Sequence, residues 1–257
     1  MEKEKDIEKT ASTLVDILTG VDTKYGREVL TKLKKIKEIT SFAPQLAGLV
    51  ASRYLTSNAI IEEYLARGFH PNIIELGAGF SPHSLDLGKK VVYIEVDLPT
   101  NSEIKQKIAK EINPSDSTIY IAGDIFLSNT WERIKKHINP KQPTIIFGEG
   151  FFIYTTKEQR VMLAKEILPL TGNEGCLFFE DSLRYHPEWD LTNNTQKGIK
   201  GILQTSKSKA YSEKISQEEL TKEWESYGFK VERRTPIYVK ANSDIAKKLK
   251  TWVLKQR

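Results

Sequence analysis

Residues 73–82 read Ile-Ile-Glu-Leu-Gly-Ala-Gly-Phe-Ser-Pro, and residues 91–99 read Val-Val-Tyr-Ile-Glu-Val-Asp-Leu-Pro. These two runs decide the fold. Ile73–Leu76 is short and mostly apolar, the composition of a strand covered on both faces of a parallel sheet. Gly77 and Gly79 permit a tight turn and let the backbone lie against a ligand where a Cβ would collide. Asp97 closes the second run, 20 residues beyond Gly77. At that spacing a carboxylate accepts hydrogen bonds from the ribose hydroxyls of a nucleoside. The dinucleotide fingerprint asks for a third glycine where this chain has Pro82. Proline suits the first turn of a helix but not the close helix–strand packing which that glycine permits. A nucleoside without a pyrophosphate fits better, S-adenosylmethionine foremost.

Outward from this centre, strand and helix alternate at the pace of a parallel α/β sheet. Before it, residues 1–10 read as a frayed charged end, and Leu14–Val21 as a short helix. Val29, Leu30, Leu33, Ile36 and Ile39 recur at helical spacing. The lysines between them read as a solvated face. A third helix takes Pro44 in its first turn and ends at Gly68. Residues 1–68 are thus expected to form a helical cap that is not an independent module, with residues 69–257 as the ligand-binding core.

After Asp97 the expected elements are a helix over Asn101–Ile112, a strand over Thr118–Ala122 and a helix over Trp131–Ile138. A strand over Thr144–Phe147 follows, then a helix capped by the Thr156/Gln159 box and ended by Pro169. Gly175–Asp181 is the fifth strand. A second box, Ser216/Glu219, opens a helix closed by Gly228, and Lys230–Arg234 and Thr251–Gln256 are the last strands.

The chain has 257 residues, 39% hydrophobic and 28% charged, in the range of a soluble globular protein. No run reaches the length of a membrane helix, and the mixed-charge N-terminus does not read as a secretory signal. One cysteine, Cys176, leaves no intrachain disulfide and no multi-cysteine metal site. Its apolar surroundings suggest a buried inert thiol. A cytoplasmic location is the expectation. The net charge of +5 is spread along the chain and argues weakly for nucleic acid.

Four successive strands end in something small or acidic: Gly77/Gly79, Asp97, Asp124 and Glu149. Ligands of open parallel sheets bind past these carboxyl ends. Asp97 would hold the ribose. Asp124 would accept from the adenine amino group, with the Ile125 N–H beside it. Glu149, between two glycines, would lie near the sulfonium.

On these segments the sequence resembles the leucine carboxyl methyltransferase family, which includes bacterial polyketide-type O-methyltransferases. The matching runs are Glu-Leu-Gly-Ala-Gly (75–79), Tyr-Ile-Glu-Val-Asp-Leu-Pro (93–99), Gly-Asp-Ile (123–125) and Glu-Gly-Phe-Phe-Ile-Tyr-Thr-Thr-Lys-Glu-Gln (149–159). The resemblance implies a Rossmann-like class I methyltransferase sheet with an added helical cap and S-adenosylmethionine as methyl donor. It implies that Arg53, on the cap helix, pairs with the methionine carboxylate; the residue alone would read as an exposed helix arginine. It implies donor roles for Gly77, Asp97, Asp124 and Glu149, and places Tyr154 near the reacting end. Many bacterial relatives follow the glycines with Asp-Thr-Arg; this chain has Ser81-Pro82-His83, and His83 reads as a surface residue.

The expected reaction is therefore O-methylation of a carboxylate or hydroxyl on a small molecule. A carboxylate acceptor needs no general base; a phenol or alcohol does, and Tyr154, His83 and His186 are the candidates. The run Arg184–Trp189 suits an acceptor pocket, with Thr192–Lys214 as its cover. A protein carboxyl methyltransferase would look the same at the donor site. A non-catalytic binder also keeps the fold and donor site. A nicotinamide enzyme is disfavoured by Pro82 and by the Glu149 motif.

Overall fold

The computed structural model describes residues 2–36, 38–39, 47–87, 91–180, 215–237 and 250–257. Pro44, Asp181, the run Arg184–Trp189 with His186, and Thr192–Lys214 fall outside these residues. Seven strands form one sheet in the order β3-β2-β1-β4-β5-β7-β6. They are β1 (Asn72–Leu76), β2 (Val92–Asp97), β3 (Ile119–Ala122), β4 (Thr144–Phe147), β5 (Cys176–Glu180), β6 (Phe229–Arg234) and β7 (Thr251–Gln256). The first five pair in parallel, as the buried β-branched runs predict. The last strand breaks the expected parallel pattern: β7 runs antiparallel to both β5 and β6.

The strand order reverses between β1 and β4, and such a switch opens a crevice at the strands' carboxyl ends. The register pairs Glu75 with Phe147. The next residues but one, Gly77 and Glu149, therefore emerge side by side.

Helices cover both faces. On one, α6 (Ser128–Lys135), α7 (Lys157–Thr171) and α8 (Gln217–Ser226) bury Trp131, Ile167 and Trp224 against Ile74, Ile146 and Phe179. On the other, α3 (Ala47–Ala66) sets Ile60, Ile61 and Tyr64 against Ile73, Ile145 and Phe178. Helices α1 (Glu2–Gly20) and α2 (Lys24–Lys34) share one core with Phe80, with Leu85 of α4 (His83–Leu87) and with Ile108 of α5 (Pro99–Ile112). The N-terminal helices thus share buried contacts with α4, α5 and, through α3, with the sheet.

The bounds of α1, α7 and α6 differ from expectation. The N-terminal end is helical from Glu2 rather than frayed, consistent with its run of Glu and Lys, both good helix formers. Helix α7 runs past Pro169 to Thr171. A proline inside a helix deletes one backbone donor, and here the remaining turn ends on Gly172 at φ +54°. Helix α6 begins and ends three residues before the expected Trp131–Ile138 span.

Candidate active site

The glycine turn is stitched to the end of β2. Gly77 and Gly79 have φ of +65° and +49°, conformations L side chains rarely adopt. The Gly79 N–H donates to Asp97 Oδ2 at 2.7 Å. The other oxygen, Oδ1, accepts from the Leu98 N–H at 2.7 Å and from Asn101 Nδ2 at 3.1 Å. Asp97 therefore braces the turn and the start of α5 together. A Cβ on Gly77 would come within 3.0 Å of Phe151 Cδ2. The Cβ side of that glycine is thus closed by the loop after β4.

That loop carries Glu149, whose side chain is 7% exposed. Its Oε1 accepts from Ser57 Oγ at 2.5 Å and meets His83 Nε2 at 2.9 Å. Burial alone would raise the Glu149 carboxyl. The charge and hydrogen bond of His83, with Arg53 and Ser57, outweigh it and hold the group below the usual range.

His83 corrects the sequence expectation: it is fully buried, not on the surface. Its Nδ1 lies 2.7 Å from Asn58 Oδ1, and its ring stacks on Tyr54 at 4.1 Å. With an acceptor at each nitrogen it is placed to be an imidazolium. Burial would lower its pKa; the charges of Glu149 and Glu75 raise it instead.

Arg53 is also buried, at 8% exposure, rather than an exposed helix arginine. Its Nη1 lies 3.3 Å from Glu180 Oε1, at the end of β5. The guanidinium packs on Gly150, where an added Cβ would sit 3.4 Å from Nη1. Its Nε is buried with no hydrogen-bond partner among the described residues. Helix α3 buries polar Ser52, Arg53, Thr56 and Ser57 as well as apolar residues, because it lies between the sheet and these loops.

Beneath the turn lies a second polar layer. Tyr93 Oη donates to Glu75 Oε2 at 2.7 Å. Glu95, the register partner of Glu75, accepts from Ser84 Oγ at 2.5 Å and pairs with Lys105 Nζ at 2.6 Å. All five side chains are buried. Burial pushes Glu95 up to about 7 against the pull of Lys105.

Asp124 lies apart from this cluster. It is exposed, and its Oδ1 accepts the Phe126 N–H at 2.9 Å. Ile125 is 6% exposed. The two are joined to the donor turn through Gly123, whose N–H donates to the Asp97 carbonyl at 2.9 Å. Tyr154 ends a 3-10 turn over Phe152–Tyr154 and is half-buried. From the same loop it is Phe151, not Tyr154, that reaches Gly77. A cavity of about 210 Å³ opens beside Ile125, Trp131 and Met162 but touches neither glycine nor Glu149.

The structure therefore draws Arg53, Glu149 and the Gly77–Gly79–Asp97 turn together. It adds Ser57, Asn58 and Glu180, which sequence reasoning missed. His83 was named in the sequence only as one of three candidate general bases and as the residue that breaks the family's Asp-Thr-Arg pattern; the structure buries it in the cluster. Among the described residues no group of three metal-ligating side chains converges, and no described helix is long and apolar enough to cross a membrane.

Comparison with solved structures supports the fold. A presumed methyltransferase from Thermobifida fusca YX superposes with a TM-score of 0.63 at 12% identity, covering 96% of this chain and 94% of that one. Magnesium protoporphyrin IX methyltransferase from Synechocystis PCC 6803, with bound SAH, gives 0.55 at 11%, covering 95% and 99%. The pyocyanin biosynthetic protein PhzM gives 0.52 at 10%, covering 83% and 58%. No curated protein sequence matches the chain directly. A family model described as leucine carboxyl methyltransferase matches residues 11–168. That span includes Arg53, the glycine turn, Asp97, Asp124 and Glu149, and the chain belongs to the leucine carboxyl methyltransferase family, with the class I fold of S-adenosylmethionine-dependent methyltransferases.

Proposed function

We propose that the protein transfers a methyl group from S-adenosylmethionine to an oxygen of a small molecule. The observation that carries the reading is Arg53: a buried guanidinium with an unpartnered Nε, set against Gly150 beside the donor turn. Such a group suits a carboxylate, and the donor's methionine end supplies one. Its residues divide the donor between them. Arg53 takes the carboxylate, Asp97 the ribose, and Asp124 with the Ile125 N–H the adenine. Glu149 puts its negative charge near the positive sulfur. Each charge-assisted bond contributes about 1.5–3 kcal/mol.

The sulfonium supplies an electrophile that is already activated, so positioning provides much of the acceleration, up to roughly 7–11 kcal/mol. Glu149 and Arg53 fix the methionine end while an acceptor oxygen approaches the methyl in line. Tyr154, at the mouth of the loop, is the residue we assign to the acceptor side. The deciding experiment is methyl transfer from labelled S-adenosylmethionine to metabolite pools and, in parallel, to protein extracts. Label in small molecules supports the reading. Label in protein carboxyl groups would replace it with a protein carboxyl methyltransferase, and label in neither would leave a donor-binding protein.

A further inference from the structure

One carboxylate beside the donor site has no part in the assignments above. Glu180 is the last residue of β5 and 7% exposed. Its Oε1 accepts the Gly150 N–H at 2.5 Å and lies 3.3 Å from Arg53 Nη1. The guanidinium that the donor carboxylate would use is thus already held by an internal carboxylate. A guanidinium offers five N–H donors in a fixed fork, and here Nε remains unfilled. Two buried carboxylates on one cation repel, and one of them takes a proton.

We propose that Glu180 is a donor-site residue, holding Arg53 before the donor arrives and becoming a neutral acid as the donor's α-carboxylate takes over the guanidinium. This rests on the reading that Arg53 receives that carboxylate. In the exchange Glu180 gains one proton, forming an O–H, and the acid form of the buffer gives that proton up; no other covalent bond forms or breaks. Among the described residues four groups act on it: Arg53 of α3, Glu149 and the Gly150 N–H of the loop after β4, and its own backbone N–H. Burial, the largest influence, and Glu149 favour the neutral form, while Arg53 and the N–H groups of Gly150 and Glu180 itself oppose them, and the carboxyl is pushed up to about 7. The sign of the pH effect follows. Above that value the free protein must bind a proton to accept the donor, so affinity weakens by about tenfold per pH unit.

The test is titration calorimetry of the full chain with S-adenosylhomocysteine, from about pH 6 to about pH 8.5, in buffers of different ionisation enthalpy. Adenosine, which lacks the carboxylate, is the comparison ligand. Wild-type protein should bind S-adenosylhomocysteine more weakly as pH rises, taking up close to one proton above neutral, while adenosine binding stays level. Glu180→Gln should bind S-adenosylhomocysteine at least about tenfold tighter than wild type at the alkaline end, with no proton uptake. Proton uptake by the wild type needs no variant, so it decides the matter even if Glu180→Gln fails to fold. Wild-type binding without proton uptake, or a Glu180→Gln variant with the wild-type pH profile, would overturn the assignment and leave the donor reading standing. Absence of S-adenosylhomocysteine binding at every pH would overturn the donor reading and the assignment with it.

Discussion

His83 Nε2 lies 2.9 Å from Glu149 Oε1, and both side chains are nearly or wholly out of water. This bond ties the segment after the glycine turn to the loop after β4, across the point where the strand order reverses. Ser57 and Asn58 join the same pair from α3. Three segments far apart in sequence are therefore locked by one buried ion pair.

The pair sets a pH window for stability. His83 is raised in the folded state, so its contribution is complete below the ordinary histidine value of 6.5 and is lost as pH rises through the folded value. Glu149 is lowered, so its contribution is present above 4.5 and is lost as pH falls through its folded value. Denaturant midpoints should therefore be highest between these limits. Removing one partner leaves a buried charge uncompensated, so His83→Gln or Glu149→Gln should cost about 3–5 kcal/mol inside the window. The double variant should cost less than the sum of the two. Additive losses in a double-mutant cycle would show that the two side chains do not act together.

Lys105 and Glu95 give a pH signature of opposite use. Glu95, pushed up to about 7, is neutral in acid and ionised in alkali. A raised carboxyl gives its full contribution below the unfolded value of 4.5 and loses it as pH rises through the folded value. Lys105 limits that loss by pairing with the ionised form. Lys105→Met should therefore destabilise by about 3–5 kcal/mol in alkali and by much less in acid, where a buried lysine faces a neutral acid. Thermal melts at the two extremes check it; a loss equal at both would contradict the pairing.

Gly77→Ala tests the turn itself. The residue has φ +65°, and the new methyl would press on Phe151 at 3.0 Å. The backbone term alone costs roughly 1–2 kcal/mol, and a displaced Phe151 should also loosen donor binding. Ala substitution at Gly172 is the control: φ is also positive at +54°, but nothing lies within 4 Å of the new methyl. Stability should fall in both variants, and donor affinity only in Gly77→Ala, as read by chemical denaturation and calorimetry.

Most of the fold was legible because its signals are local. Ile73–Leu76 and Thr144–Phe147 are apolar on both faces, and the Thr156/Gln159 and Ser216/Glu219 boxes fix where α7 and α8 begin. The family resemblance singled out Arg53, whose donor role belongs to the proposal, and the turn that joins Gly79 to Asp97 was legible from their spacing. His83 was not, because its burial depends on Ser57, Asn58 and Glu149 meeting around it. Glu180 was not, because an acid closing an apolar strand reads the same whether it meets water or a guanidinium. The antiparallel β7 was not, because a strand's direction depends on how the preceding segment returns to the sheet.

Arg53→Ala separates binding from folding. Its loss should weaken S-adenosylhomocysteine by roughly tenfold or more, the value of a charge-assisted bond, while adenosine loses little. Equal weakening of both ligands in calorimetry would assign Arg53 to the packing of α3 on Gly150 instead.

Tyr154 carries the reaction side of the proposal. It ends the 3-10 turn, and the Thr156 cap fixes the start of α7 just beyond it. Phe152 and Ile153 are buried and hold the turn to the core. The tyrosine is half-buried at its rim. Tyr154→Phe keeps the ring and removes the hydroxyl, so the fold and donor affinity should stay unchanged. If the hydroxyl moves a proton in the reaction, turnover falls by about 10²–10⁴-fold. If it only positions the acceptor, the loss is smaller and appears in the acceptor KM. A carboxylate acceptor needs no proton removed, so the second pattern is expected for that class and the first for a phenol or alcohol. Steady-state kinetics of Tyr154→Phe with the acceptor found by labelling therefore reads out the acceptor chemistry. Kinetics identical to wild type would return Tyr154 to a packing role.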